Sequence, residues 1–235
     1  MKQTLLILAV AIGQSVLAAD VVITDPFVRD FLAKRFKKPS GKFAPPPKFT
    51  EAELARVTDL DLSETQITDA GLKELAKLQK LTKLDLSFTN ITDAGLKEVA
   101  KLPNLTQLGL GFTKITDAGL KEVAKMQKLD TLYLGDTKIT DAGLKDIAKM
   151  QQLRTLGLND IKITDAGLKE VAKLQKLTWL ALSDTKITDA CLRDIAKMQK
   201  LDTLYLAGTK ITNENAAELG KALPNCKIIH SYEKD

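Results

Sequence analysis

The chain has 235 residues, 44% of them hydrophobic, and a formal charge of +5, a length that admits one or two globular domains. The positive excess is local: Asp20 to Thr50 carries seven basic against three acidic residues, whereas residues 51–235 balance at 27 of each. The body of the protein therefore has no net basic field, and the high pI is no argument for nucleic-acid binding.

Residues 1–18 read as a signal peptide. Lys2 gives a positive start, Leu5 to Ile12 is unbroken apolar chain, and Val16-Leu17-Ala18 offers small residues before a cut after Ala18, or secondarily Ala19. Eight apolar residues fall far short of the ~20 that span a bilayer, and nothing later comes nearer, so no membrane span is expected. No Cys follows the cut to take a lipid anchor.

Residues 19–56 read as an N-terminal helical cap with a Pro-rich linker. Asp25-Pro26 opens a helix with Phe27, Val28, Phe31, Leu32 and Phe36 on one side. Its basic remainder also suits a membrane surface, but a first repeat needs its apolar end covered and this helix is well placed to do it. Pro39 and Pro45-Pro46-Pro47 stiffen the linker. Thr50-Glu51-Ala52-Glu53 then has the form of a capping box before a second short helix.

Residues 57–225 are seven copies of one unit. Ile-Thr-Asp-Ala-Gly-Leu begins at Ile67, Ile91, Ile115, Ile139 and Ile163, with variants at Ile187 and Ile211, and every step is 24 residues. A constant period of this size marks one supersecondary unit stacked on its own copies. Within a unit, Leu84-Asp85-Leu86 alternates as a strand does, whereas Leu96, Val99, Ala100 and Leu102 keep helical spacing. Thr92 or Asp93 supplies the N-cap oxygen between the two. The unit is thus a strand, a turn and a helix, stacked into a parallel inner sheet with outer helices. Residues 226–235 form a C-terminal cap and tail, with a last short strand over Cys226 to Ser231.

The recurring L-x-x-L-x-L followed by I-T-D-A-G-L resembles the leucine-rich repeat family, in the subclass found in secreted bacterial repeat proteins and in the repeat arms of F-box proteins. The resemblance implies an α/β fold, a right-handed leucine-rich-repeat solenoid. The Asn that usually follows the strand is Thr at Thr65, Thr89, Thr113, Thr137, Thr185 and Thr209, and Ile161 in the fifth unit; a hydroxyl can still bond a nearby backbone group.

Chemistry has few footholds. The sole His230 lies in the tail, away from any nucleophile. Gly71, Gly95, Gly119, Gly143 and Gly167 recur once per coil, which points to packing or a turn, not a cofactor loop. Cys191 and Cys226 stand two coils apart, about 10 Å, beyond disulfide reach. No enzyme, cofactor or metal site is expected.

The positions that differ between units flank the buried leucines, on the open face of the sheet. Phe88 and Phe112 share one position in adjacent units, and Tyr133, Trp179 and Tyr205 follow; aromatics of this kind anchor interfaces. The same face is acidic, with Asp59, Asp61, Glu64, Asp85, Asp130, Asp136, Asp160, Asp184 and Asp202 against Lys83 and Arg154. Phe88, Phe112, Tyr133, Trp179, Tyr205, Asp85, Asp136, Asp160 and Asp184 are the candidate partner-binding residues. Asp136, Asp160 and Asp184 are expected to pair with Lys138, Lys162 and Lys186 as a charge ladder. The expected function is that of a secreted or periplasmic, non-enzymatic module holding a protein partner with a basic patch. One alternative is an anionic glycan along Lys114, Lys138, Lys162, Lys186 and Lys210; another is a substrate-recognition adaptor of the F-box-arm type.

Overall fold

The computed structural model describes residues 20–40 and 45–231; the proposed leader, 1–18, lies outside them. Eight strands form one parallel sheet in chain order: β3 (Asp59–Asp61), β4 (Lys83–Asp85), β5 (Gln107–Gly109), β6 (Thr131–Tyr133), β7 (Thr155–Gly157), β8 (Trp179–Ala181), β9 (Thr203–Tyr205) and β10 (Lys227–Ile229). From β3 to β9 each residue pairs with the one 24 positions on, so Leu60, Leu84, Leu108, Leu132, Leu156, Leu180 and Leu204 stack in one buried row.

Helices cover the buried side. The first unit has a 3-10 helix over Gly71–Lys77, and regular helices follow as α3 (Asp93–Val99), α4 (Asp117–Val123), α5 (Asp141–Ile147) and α6 (Asp165–Val171). Their spacing buries Leu96 with Val99, and Leu120 with Val123, while Lys101 and Lys125 reach back to Glu98 and Glu122 on the outer surface. In the sixth unit a 3-10 turn over Asp189–Cys191 runs into a short α7 (Leu192–Ile195), and α8 (Asn213–Ala222) closes the seventh.

Two side-chain ladders fasten one coil to the next or close the turn within it. The Thr89 hydroxyl donates to the Leu86 carbonyl at 2.6 Å, and Thr65, Thr113, Thr137, Thr185 and Thr209 repeat the bond three residues back. A hydroxyl thus suffices where an amide was displaced, and the buried Ile161 fills the same place with hydrocarbon. Thr92 supplies the N-cap, its oxygen accepting from the Ala94 N–H. Asp69, the preceding coil's counterpart of Asp93, reaches forward: the Thr92 N–H donates to Oδ1 at 2.9 Å and the Thr92 hydroxyl to Oδ2 at 2.7 Å. Asp93, Asp117, Asp141 and Asp165 do the same to Thr116, Thr140, Thr164 and Thr188. The recurrent glycines answer to this ladder. A Cβ on Gly95 would lie 2.5 Å from Asp69 Oδ1 and 2.7 Å from Leu72 Cδ1, so the residue is small because the previous coil's carboxylate passes there.

At the N-terminal end α1 (Pro26–Arg35) is capped by Asp25, whose Oδ1 accepts from the Phe27 and Val28 N–H groups at 3.0 Å each. Val28 and Leu32 are buried in the common core, with Phe27, Phe31 and Phe36 packed against it, so this helix covers the first coil. A Cβ on Gly71 would strike Asp25, which stands where the ladder's next aspartate would be. The capping box between Thr50 and Glu53 is formed at the start of α2 (Glu51–Leu54). A two-stranded antiparallel ribbon is an addition to the sequence reading: β1 (Val21–Val22) pairs with β2 (Lys48–Phe49), and Phe49 is fully buried. Pro47, read as linker, is buried beside it.

Candidate functional site

Because Leu60, Leu84 and their equivalents point into the core, the residues on either side of them face away from the helices. Two rows result. The first runs Asp59, Lys83, Gln107, Thr131, Thr155, Trp179, Thr203; the second runs Asp61, Asp85, Gly109, Tyr133, Gly157, Ala181, Tyr205.

The second row alternates large and small, and the alternation builds an aromatic group. Gly157 and Ala181 leave the sheet low between Tyr133 and Tyr205, and Trp179 lies across that space. Its ring is 6.0 Å from Tyr133, edge to face, and 5.4 Å from Tyr205. A Cβ on Gly157 would sit 3.0 Å from the Tyr133 ring. Burial, and secondly the Asp85 carboxylate, push the Tyr133 hydroxyl above its usual range.

A second low point lies over Gly109, and no ring crosses it. The resulting depression, about 160 Å³, is lined by Asp59, Asp61, Lys83, Asp85, Gln107 and Tyr133. Asp85 Oδ1 accepts from the Ser87 N–H at 2.9 Å, which folds the carboxylate over Gly109. Lys83 is 3.7 Å from Asp59, so one ammonium faces three carboxylates at this end of the sheet.

Phe88 and Phe112 stand apart from the Tyr133–Trp179–Tyr205 group. They occupy the turn that leaves each strand, and their rings stack at 4.2 Å with an 11° interplanar angle. Further along the same turn position stand Asp136, Asp160 and Asp184. Burial, then the charges of Asp184 and Asp136, hold the Asp160 carboxyl above its usual range. The expected charge ladder is not formed at Asp136 or Asp160, neither of which pairs with a lysine among the described residues. The backbones of Lys138 and Lys162 pair with those of Thr116 and Thr140 in the previous coil, and the left-handed conformation of Asp136 and Asp160 means that the chain from acid to lysine is not extended. Lys114, Lys138, Lys162, Lys186 and Lys210 are all exposed.

The turn position has positive φ in every unit, a feature absent from the sequence reading. Its signal was present: Asp and Gly together are turn residues that tolerate the left-handed region, but the two Phe at the same place hid it. His230 is at the far edge, with Nε2 2.8 Å from the Ile211 carbonyl oxygen. Cys191 is buried and its thiol is pushed up to about 12 by burial and the nearby Asp165; Cys226 is half-buried. Among the described residues no group of His, Cys, Asp and Glu is arranged to hold a metal ion, and no helix is long and apolar enough to cross a membrane.

A stacked parallel sheet with one helix per 24 residues, closed by Thr and Asp ladders, defines a leucine-rich repeat solenoid. The profile of the leucine-rich repeat region family matches residues 35–228, and the chain belongs to that family. Among solved structures it is similar to internalin C2 of Listeria monocytogenes, with a TM-score of 0.70 and 26% identity over 89% of this chain and 84% of that one. It also shares its fold with a second internalin of that organism, at a TM-score of 0.68 and 22% identity over 88% of this chain and 55% of that one. No curated protein matches it.

Proposed function

We propose that the protein is an exported, non-enzymatic leucine-rich-repeat module that holds a protein partner on the open face of its sheet. The observation that carries this reading is the distribution of aromatics. Phe88 and Phe112 are exposed at 52% and 49% and Tyr133 at 37%, Trp179 packs against Tyr133, and all come from the positions that vary between otherwise repeated coils. Large rings on a shallow open surface suit a protein contact better than a small molecule, which needs enclosure. Asp59, Asp61 and Asp85 at one end, and Asp136 and Asp160 on the turn row, favour a partner with a basic patch.

The test is capture from an extract of the protein's own compartment on the immobilised chain, beside a variant with Phe88, Phe112 and Trp179 changed to Ala. A partner retained by the first and lost by the folded variant supports the reading; equal retention refutes it. A second reading, an anionic glycan along the lysine row, is favoured by one observation: Lys114, Lys138, Lys162, Lys186 and Lys210 are all exposed at a single repeat position. Retention on heparin resin that survives Lys-to-Gln changes in this row would remove it.

A further inference from the structure

Every unit turns out of its strand through one residue in the left-handed region. The φ angles are 57° at Glu64, 57° at Phe88, 54° at Phe112, 48° at Asp136, 55° at Asp160, 59° at Asp184 and 71° at Gly208. Gly meets no steric objection there, and a short polar side chain such as Asp can bond locally. A bulky side chain has neither advantage, and its Cβ crowds the following carbonyl oxygen. The turn itself does not require Phe, since other coils build it from Asp with the same backbone bond onward: the Phe88 N–H donates to the Gly111 carbonyl as the Asp136 N–H does to that of Asn159. The core does not require it either, because both rings are about half exposed. Two strained positions therefore hold two rings in solvent, and their remaining benefit to the fold is the contact they make with each other. Strain kept without a folding reason marks a working surface.

We infer that the Phe88–Phe112 stack is the apolar anchor of the interface, and that it receives a hydrophobic side chain of a protein partner carrying Lys or Arg on both sides of it. This rests on the protein-binding reading above and narrows it. The argument for the occupant is charge. Along the turn row the stack lies between Glu64 on one side and Asp136, Asp160 and Asp184 on the other. Across the sheet Asp85 is three residues before Phe88, at most ~10 Å along the strand direction. Among the described residues neither Asp136 nor Asp160 forms an ion pair, and Asp160 already meets repulsion from its neighbours. An acidic glycan, a phosphate backbone or an anionic membrane brought to the rings would add negative charge to this border. An apolar side chain flanked by basic residues covers the rings and neutralises the border together.

Substitutions suited to each backbone position keep the fold. Phe88→Asn with Phe112→Asn puts a residue tolerant of positive φ at both turns. Trp179→Thr installs the residue found at Thr131, Thr155 and Thr203 in the same row. The full chain is used to select binders from a displayed random peptide library, and the affinities of the enriched peptides are measured for wild type and both variants. The expected peptides combine an aromatic or aliphatic residue with neighbouring Lys or Arg. They lose at least tenfold in affinity for the double Asn variant, whose melting temperature equals or exceeds that of the wild type. Acidic peptides, or no enrichment at all, overturn the inference, and so does a melting temperature that falls with the affinity, since the rings would then be structural. Binding lost in Trp179→Thr but kept in the double Asn variant refutes the anchor and leaves the open-face reading standing. Binding unchanged in both variants refutes the two together.

Discussion

Replacing Gly95 by Ala tests the carboxylate ladder directly. In an open helix the change would stabilise by about 1 kcal/mol, because Ala gives up less backbone entropy. Here the new methyl would stand 2.5 Å from Asp69 Oδ1 and 2.7 Å from Leu72 Cδ1. The leucine tip can rotate away. Asp69 cannot do so without weakening its bonds to the Thr92 N–H and hydroxyl. Bonds to an ionised acceptor contribute about 1.5–3 kcal/mol each, and forced overpacking costs ~1–3 kcal/mol. Set against the helix gain, Gly95→Ala should destabilise by about 2 kcal/mol, or ~4–8 °C in Tm for a chain of this size. Urea unfolding followed by circular dichroism reads the difference. The same substitution made in an Asp69→Ala background should be nearly neutral, a coupling that a double-mutant cycle isolates. A Gly95→Ala protein more stable than wild type would refute the claim that the glycine makes room for the preceding coil.

Three further predictions concern titratable groups. Asp160 has a raised folded-state pKa, so its charged form burdens the native state at neutral pH; Asp160→Asn should stabilise near pH 7, and the gain should shrink as pH falls through the folded and then the unfolded pKa. Glu53 is held below its usual range by the Thr50 backbone N–H and by Lys38. Its contribution is complete above the unfolded value of 4.5 and is lost as pH falls through the lower folded value; Glu53→Gln should flatten that acid limb, as pH-dependent melting would record. With its thiol pushed up to about 12, the buried Cys191 should resist iodoacetamide at pH 8 in the native protein, and Cys226 should label first; rapid labelling of Cys191 by mass spectrometry would contradict the burial described.

The architecture was legible because a 24-residue period repeats the same evidence in each unit, so that local errors average out. The candidate residues were legible as the positions where that repetition fails. What escaped the sequence reading were contacts between units and short elements. The Asp69 to Thr92 link joins residues 23 apart, and no rule of helix or strand spacing brings them together; the persistence of Asp through otherwise tolerant surface positions was its trace. The β1–β2 ribbon has two residues per strand, below the length at which alternation can be recognised, and Phe49 owes its burial to it. The expectation that Asp136 and Asp160 pair with Lys138 and Lys162 failed for a conformational reason. It assumed an extended chain between them, and the left-handed residue turns the backbone out of the strand at that point.

The constant offset of 24 between paired residues, from β3 through β9, has a consequence for how such a protein changes over generations. A duplicated 24-residue block inserted between two coils would meet, above and below, the same leucine row, the same threonine hydroxyl and the same aspartate that its parent meets. Nothing at either terminus would need to adjust, because the helix over the first coil and the strand after the last touch only their immediate neighbours. Recognition area can therefore grow or contract by whole coils through replication slippage, while single substitutions in the two outward rows revise its chemistry. Length and specificity are in this sense separate heritable variables.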